Sequence, residues 1–177
     1  MPRKITDMIF VHCSATKPSM DIDIKDIDRW HRERGFLKVG YHFVIKRDGT
    51  LQKGRDLMEA GAHVKSYNHR SVGIAMVGGV AEHDVNVPQD NFTEPQWVTL
   101  KNLVLELKEQ FPEAVVKGHN EVSSKACPSF DVQKWLVEKE IIKVAKITTD
   151  EEKQFLEEKR EQFKKEHEAR FAAQRKE

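Results

Sequence analysis

Apolar and polar positions follow two different periods along the first three quarters of the chain. Short unbroken apolar runs at 8–12 and 71–77, rich in Val and Ile, read as buried strands. Between them Ile24, Ile27 and Trp30 recur at three-residue steps, which predicts a helix over 23–34 closed by Arg34-Gly35. The runs 41–46 and 51–53 are extended in pattern and flank Asp48-Gly49, a strong local hairpin signal. Beyond Gly78-Gly79 the polar segment 80–91, carrying Pro88, predicts a loop. Thr93-Glu94-Pro95-Gln96 predicts a helix start, with Thr93 at the cap, Gln96 reaching back and Pro95 in the first turn. Trp97, Leu100, Leu103, Val104 and Leu107 then share one face, and the helix ends before Phe111-Pro112. The last strand falls at 114–119. Residues 123–129 read as loop, because Pro128 removes a donor and biases Cys127 toward extended geometry. Helix resumes over 131–138. Strands and helices alternate, so the fold class is α/β, a central mixed β-sheet of four or five strands flanked by helices.

The pattern changes near residue 138. Residues 1–137 read as one globular domain and 138–177 as a charged helical extension without Gly or Pro, with as many basic as acidic side chains. Thr149-Asp150-Glu151-Glu152 fits a capping box, which predicts a long, solvated C-terminal helix from about 149. Leu156 and Phe163 make one narrow stripe on it, too sparse for a coiled coil.

Composition narrows the function classes. Lys and Arg number 30 against 29 Asp and Glu, a net charge of +1, which argues against a nucleic-acid binder held by phosphate attraction. The apolar runs are too short to span a bilayer, so no stable membrane anchor is expected. The basic start, Arg3-Lys4, is followed by Asp7 and His12 rather than by an apolar core and a small-residue cleavage site, so no secretory signal is read. In a reducing cytoplasm Cys13 and Cys127 are expected as free thiols, either small buried hydrophobes or, for one of them, a metal ligand.

Most of the eight histidines read as ordinary: His31 on the outward side of the first helix, His83 in a polar loop, His167 in the charged extension. Three other residues stand out by position. His12 closes one strand, His119 closes another, and Cys127 lies in the Pro-anchored loop that follows. Strand ends along one edge of an α/β sheet are where such folds carry their sites. Two imidazoles and a thiolate, with a fourth position open, make the catalytic pattern for Zn²⁺. His12 and Cys13 point to opposite faces of a strand, which makes His12, His119 and Cys127 the economical set. Spacing alone leaves open the competing reading of buried or surface histidines and an inert thiol.

Longer motifs add to this. Phe10-Val11-His12-Cys13-Ser14-Ala15-Thr16-Lys17-Pro18, Val39-Gly40-Tyr41-His42-Phe43, Ile45-Lys46-Arg47-Asp48-Gly49-Thr50, Tyr67-Asn68-His69 and Lys125-Ala126-Cys127-Pro128-Ser129-Phe130-Asp131 occur in this order. Together, over about 5–137, they resemble the phage lysozymes of the T-odd type, zinc N-acetylmuramoyl-L-alanine amidases related to peptidoglycan recognition proteins. The resemblance implies His12, His119 and Cys127 as zinc ligands and Tyr41 and Lys125 as catalytic residues. It places His63, together with Asn68, at substrate-binding positions. On the strand, His42 faces the side opposite its neighbour Tyr41, which reads as a structural histidine rather than a fourth ligand. The implied reaction is hydrolysis of the amide between N-acetylmuramic acid and L-alanine of the stem peptide. Lys125 would stabilise charge on the carbonyl oxygen, and Tyr41 would orient water or pass a proton. The implied setting is an endolysin made in the host cytoplasm, reaching the cell wall once the membrane is permeabilised. Two alternatives accompany it: a peptidoglycan-binding module without catalysis, and a regulator that binds and inhibits phage RNA polymerase.

Overall fold

Runs that are apolar at every position need cover on both faces, and the molecule supplies it by placing them centrally. The computed structural model describes residues 3–141. Its strands are β1 (Met8–Cys13), β2 (Phe43–Ile45), β3 (Leu51–Lys53), β4 (Ser71–Met76) and β5 (Val115–Gly118). They form one mixed sheet in the order β3-β2-β4-β1-β5. Only the β2–β3 pair is antiparallel. That pair is the expected hairpin: Gly49 takes φ +83°, and its N–H donates to the Lys46 carbonyl at 2.9 Å. Asp48 Oδ1 accepts from the Thr50 N–H at 2.8 Å, so the turn residues satisfy their own backbone.

The register assigns the faces. His12 lies opposite Ala75, and Ala75 opposite Val44, which puts all three on one face, together with Phe10 and its partner Gly73. Helix α1 (Ile24–Glu33) covers part of this face, where Ile27 packs with Ile22, Val39, Val44, Ala75 and Val77. Asp23 caps it, accepting from the Lys25 and Asp26 N–H groups. On the other face Ile9, Val11, Ile45 and Ile74 are fully buried. Helix α2 (Glu94–Gln110) buries Leu100, Leu103, Val104 and Leu107 as one stripe.

Gln96 shows how the capping box also serves the sheet. Its Oε1 accepts from the Thr93 N–H at 3.0 Å, closing the start of α2. Its Nε2 donates to the Ile45 and Val77 carbonyls, at 3.2 and 2.9 Å, just where β2 and β4 end. One buried carboxamide thus joins the helix start to two strand ends.

Two local expectations change. The last strand stops at Gly118, whose N–H, on the open edge of the sheet, donates to the Glu121 carboxylate at 2.7 Å. His119 therefore opens a single 3-10 turn, His119–Glu121, rather than closing the strand. His31 is buried, only 4% exposed, instead of facing outward. The segment around Gly40 folds back over α1, and the Gly40 N–H donates to His31 Nδ1 at 2.8 Å. Ile24, Ile27 and His31, spaced by three and four, in fact share a helix face, a signal the three-residue steps obscured.

Helix α3 (Val132–Glu138) follows the cysteine loop. The sheet and every candidate site residue belong to one compact unit, Met1–Trp135. The helix expected from 149, and the charged extension beyond 141, lie outside the described residues. No helix among the described residues is long and apolar enough to cross a membrane.

Candidate metal centre

The carboxyl ends of β1 and β5 lie side by side, since Val11 pairs with Gly118, so the residues just beyond each strand meet above one sheet edge. His12, the penultimate residue of β1, is 1% exposed. His119 follows β5 directly, and the two imidazole centroids are 4.7 Å apart. Cys127 arrives from the loop before α3. Its carbonyl accepts from the Asn120 N–H at 2.7 Å, and its Sγ accepts from the Cys13 N–H at 3.2 Å. Its Sγ stands 3.6 Å from His12 Nδ1. Donor atoms of His12, His119 and Cys127 all lie within 4.8 Å of one another. Cys13, on the opposite face as alternation requires, turns its sulfur toward Ser129, and both cysteines are free thiols.

The electrostatics suit a cation. Burial, reinforced by His63, His119 and Lys125, holds the His12 imidazole well below its ordinary value. Burial and Lys125 also lower His119. Both rings are therefore neutral near pH 7, the form that ligates a metal. Without a metal, the hydrogen bond with Cys13 and burial push the Cys127 thiol up, so cation binding must displace its proton.

Around this cluster stand the other sequence candidates. Tyr41 lies 5.1 Å from His12 between ring centroids, and burial raises its phenol above the ordinary value. His31 supports it from behind, with centroids 5.4 Å apart and the preceding peptide bonded to Nδ1. Lys125 is exposed, and its charge reaches His12, His119 and Cys127. His63 is placed behind His12, its Nδ1 3.0 Å from His12 Nε2. Asn68 spends its Oδ1 on the His63 and Val64 N–H groups, at 2.8 and 2.9 Å, and so shapes the loop that carries His63. His42 has no free nitrogen: Nδ1 accepts from the Gly73 N–H and Nε2 donates to the Glu59 carbonyl, both at 2.9 Å. It is a structural histidine, as the sequence suggested.

The profile of the N-acetylmuramoyl-L-alanine amidase family matches residues 2–130, a span that holds the sheet and all three clustered donors. The chain belongs to that family. This amidase is 49% identical over 140 residues to the endolysin of Escherichia phage T7, covering 79% of this chain and 91% of that one. It shares the same identity over 140 residues, 79% of this chain and 91% of the relative, with the endolysin of Klebsiella phage KP32. Among solved structures, the N-acetylmuramoyl-L-alanine amidase LysC from Clostridium intestinale URNW superposes with a TM-score of 0.65 at 28% identity, covering 75% of this chain and 84% of that one. The amidase thus joins a mixed α/β sheet to a cluster of two imidazoles and one thiol at its edge. Those groups fit zinc: two buried imidazoles and a half-buried thiol, close together and with no carboxylate among the three.

Proposed function

We propose that His12, His119 and Cys127 hold a zinc ion with which this amidase cleaves the bond between N-acetylmuramic acid and the L-alanine of the peptidoglycan stem peptide, as an endolysin in phage lysis. The convergence of three donor atoms from two distant stretches of the chain within 4.8 Å carries the reading. When bound, zinc supplies Lewis-acid chemistry, activating water and polarising a carbonyl. The chain's own residues do the rest. Lys125 brings a fixed positive charge to the rim of the cluster, where negative charge develops on the scissile oxygen. Tyr41 keeps its proton, since burial raises its phenol, and so serves as a hydrogen-bond donor that orients water or the leaving amine. His31 and the Gly40 peptide hold Tyr41 in place. In this setting the enzyme is made in the host cytoplasm and meets the wall once the membrane is breached.

Zinc content and muropeptide release from purified peptidoglycan, measured on protein prepared without chelator, test the reading together. About one zinc per chain and loss of release on chelation are expected. Unchanged release from metal-free protein overturns it, and binding to peptidoglycan without any release assigns the chain to recognition instead.

A further inference from the structure

The residues behind His12 form a chain of contacts with a direction. His12 Nε2 is 3.0 Å from His63 Nδ1, His63 Nε2 is 3.3 Å from Ser71 Oγ, and Ser71 Oγ donates to the Tyr67 carbonyl at 2.8 Å. A backbone carbonyl can only accept. The single Ser71 proton is therefore committed to Tyr67, and Ser71 Oγ can only accept from His63. That places the His63 proton on Nε2 and leaves its Nδ1 a lone pair, which in turn takes the proton of His12 Nε2. The remaining nitrogen of His12, Nδ1, is left bare, and it is the one facing Cys127 Sγ at 3.6 Å.

The sequence gives up side chains to make room for this arrangement. A Cβ at Gly73, in the middle of β4, would lie 2.6 Å from His63 Cδ2, and one at Gly61 would lie 2.4 Å from the same atom. Glycine weakens a strand interior unless another group must approach closely, and here the imidazole is that group. Phe10 and His42 complete the slot, at 6.2 and 5.8 Å from the His63 ring centroid. Asn68 Oδ1 fixes the backbone of His63 itself.

We infer that His63 and Ser71 form a hydrogen-bond relay, anchored on the Tyr67 carbonyl, that fixes the tautomer of His12 and presents Nδ1 as a ready-made metal ligand. His63 and Ser71 are positioning residues that act through His12. The relay rests on the zinc reading above for its purpose, but its hydrogen-bond direction belongs to the metal-free protein. Partners of this kind orient a ligating imidazole and raise its basicity, and losing one typically weakens metal binding about 10–100-fold.

Nitrogen-15 NMR of histidine-labelled, metal-free protein reads the direction without any substitution. Protons on Nε2 of both His12 and His63 are expected, and a proton on Nδ1 of either ring overturns the relay. Zinc affinity by chelator competition reads its consequence. Ser71→Ala should bind zinc about tenfold or more weakly, and Ser71→Thr, which keeps the hydroxyl, should recover most of that loss. His63→Leu should weaken zinc binding, whereas His63→Asn, whose oxygen takes the place of Nδ1, should retain more of it. Wild-type affinity in Ser71→Ala and His63→Leu overturns the relay even where the wild type binds zinc. Failure of the wild type to bind zinc instead overturns the metal reading, and the NMR result still decides the relay.

Discussion

His12 Nδ1 and Cys127 Sγ stand 3.6 Å apart although 115 positions separate them in the chain. The contact closes the cluster, because the sulfur is its only anionic donor once the thiol proton is lost. Cys127→Ser replaces that sulfur with a poor zinc ligand in the same place. Zinc content by metal analysis should fall from about one per chain to near zero, and muropeptide release should vanish with it, while the circular dichroism of the folded domain is retained. A serine variant that keeps both metal and activity would show that the sulfur is not a ligand.

Lys125 acts differently. It is exposed, and on the proposed mechanism it supplies charge rather than a bond to metal, so Lys125→Ala should keep its zinc and lose turnover, by about 10²–10³-fold as for removal of a charge-stabilising donor. Steady-state kinetics beside metal analysis separates the two effects. Normal turnover would leave Lys125 an ordinary surface residue.

The buried histidines make stability depend on pH. Burial, aided by Arg34 and countered in part by Asp28, lowers His31 to about 4; burial, with Arg3 and Arg55 nearby, lowers His42 to about 4. Each folded-state value lies below the unfolded value of about 6.5. The unfolded chain therefore binds more protons between these limits, and folding stability declines as pH falls through 6.5 toward 4. Each residue should cost about 2 kcal/mol between pH 7.5 and 5. Urea unfolding of metal-free protein at the two pH values measures the loss, and His31→Asn should reduce it by roughly one residue's share. An unchanged difference in that variant would remove His31 as a source.

Gln96→Leu keeps volume but strips the carboxamide that caps α2 and serves the Ile45 and Val77 carbonyls. The Ile45 carbonyl keeps the Val77 N–H, so the loss falls on the Val77 carbonyl and the helix cap and should destabilise the fold by about 1–3 kcal/mol. A lower urea midpoint with unchanged zinc content per folded chain is the expected result. A midpoint within experimental error of the wild type would mean that water replaces the carboxamide.

What was legible in the sequence was local chemistry. The Thr93–Gln96 capping box, the Asp48-Gly49 hairpin and the apolar runs of β1 and β4 each declare themselves within a few residues, and each stands where expected. The cluster of His12, His119 and Cys127 was reached through strand ends, alternation and the longer motifs; alternation holds in the fold, whereas His119 lies one residue past its strand. What was not legible depended on segments crossing from elsewhere. His31 became buried because residues near Gly40 return over α1, and His119 left the strand because the chain turns there into a 3-10 turn whose Glu121 takes the edge N–H of Gly118. His63 gave no local sign that it would lie behind His12. The traces were Gly61 and Gly73, the latter an isolated glycine inside an otherwise β-branched run, which marks the close approach of another group.

The strand order has a consequence for the chain's birth. β1 is made first yet sits between β4 and β5, so its second neighbour reaches it only when nearly the whole domain has left the ribosome. Such long-range pairing delays folding relative to locally wired domains. A nascent or prematurely terminated enzyme carries His12 with no sulfur to meet it. On the proposed zinc reading, hydrolytic competence waits until the loop after β5 has been made and has met β1, rather than accumulating along the way.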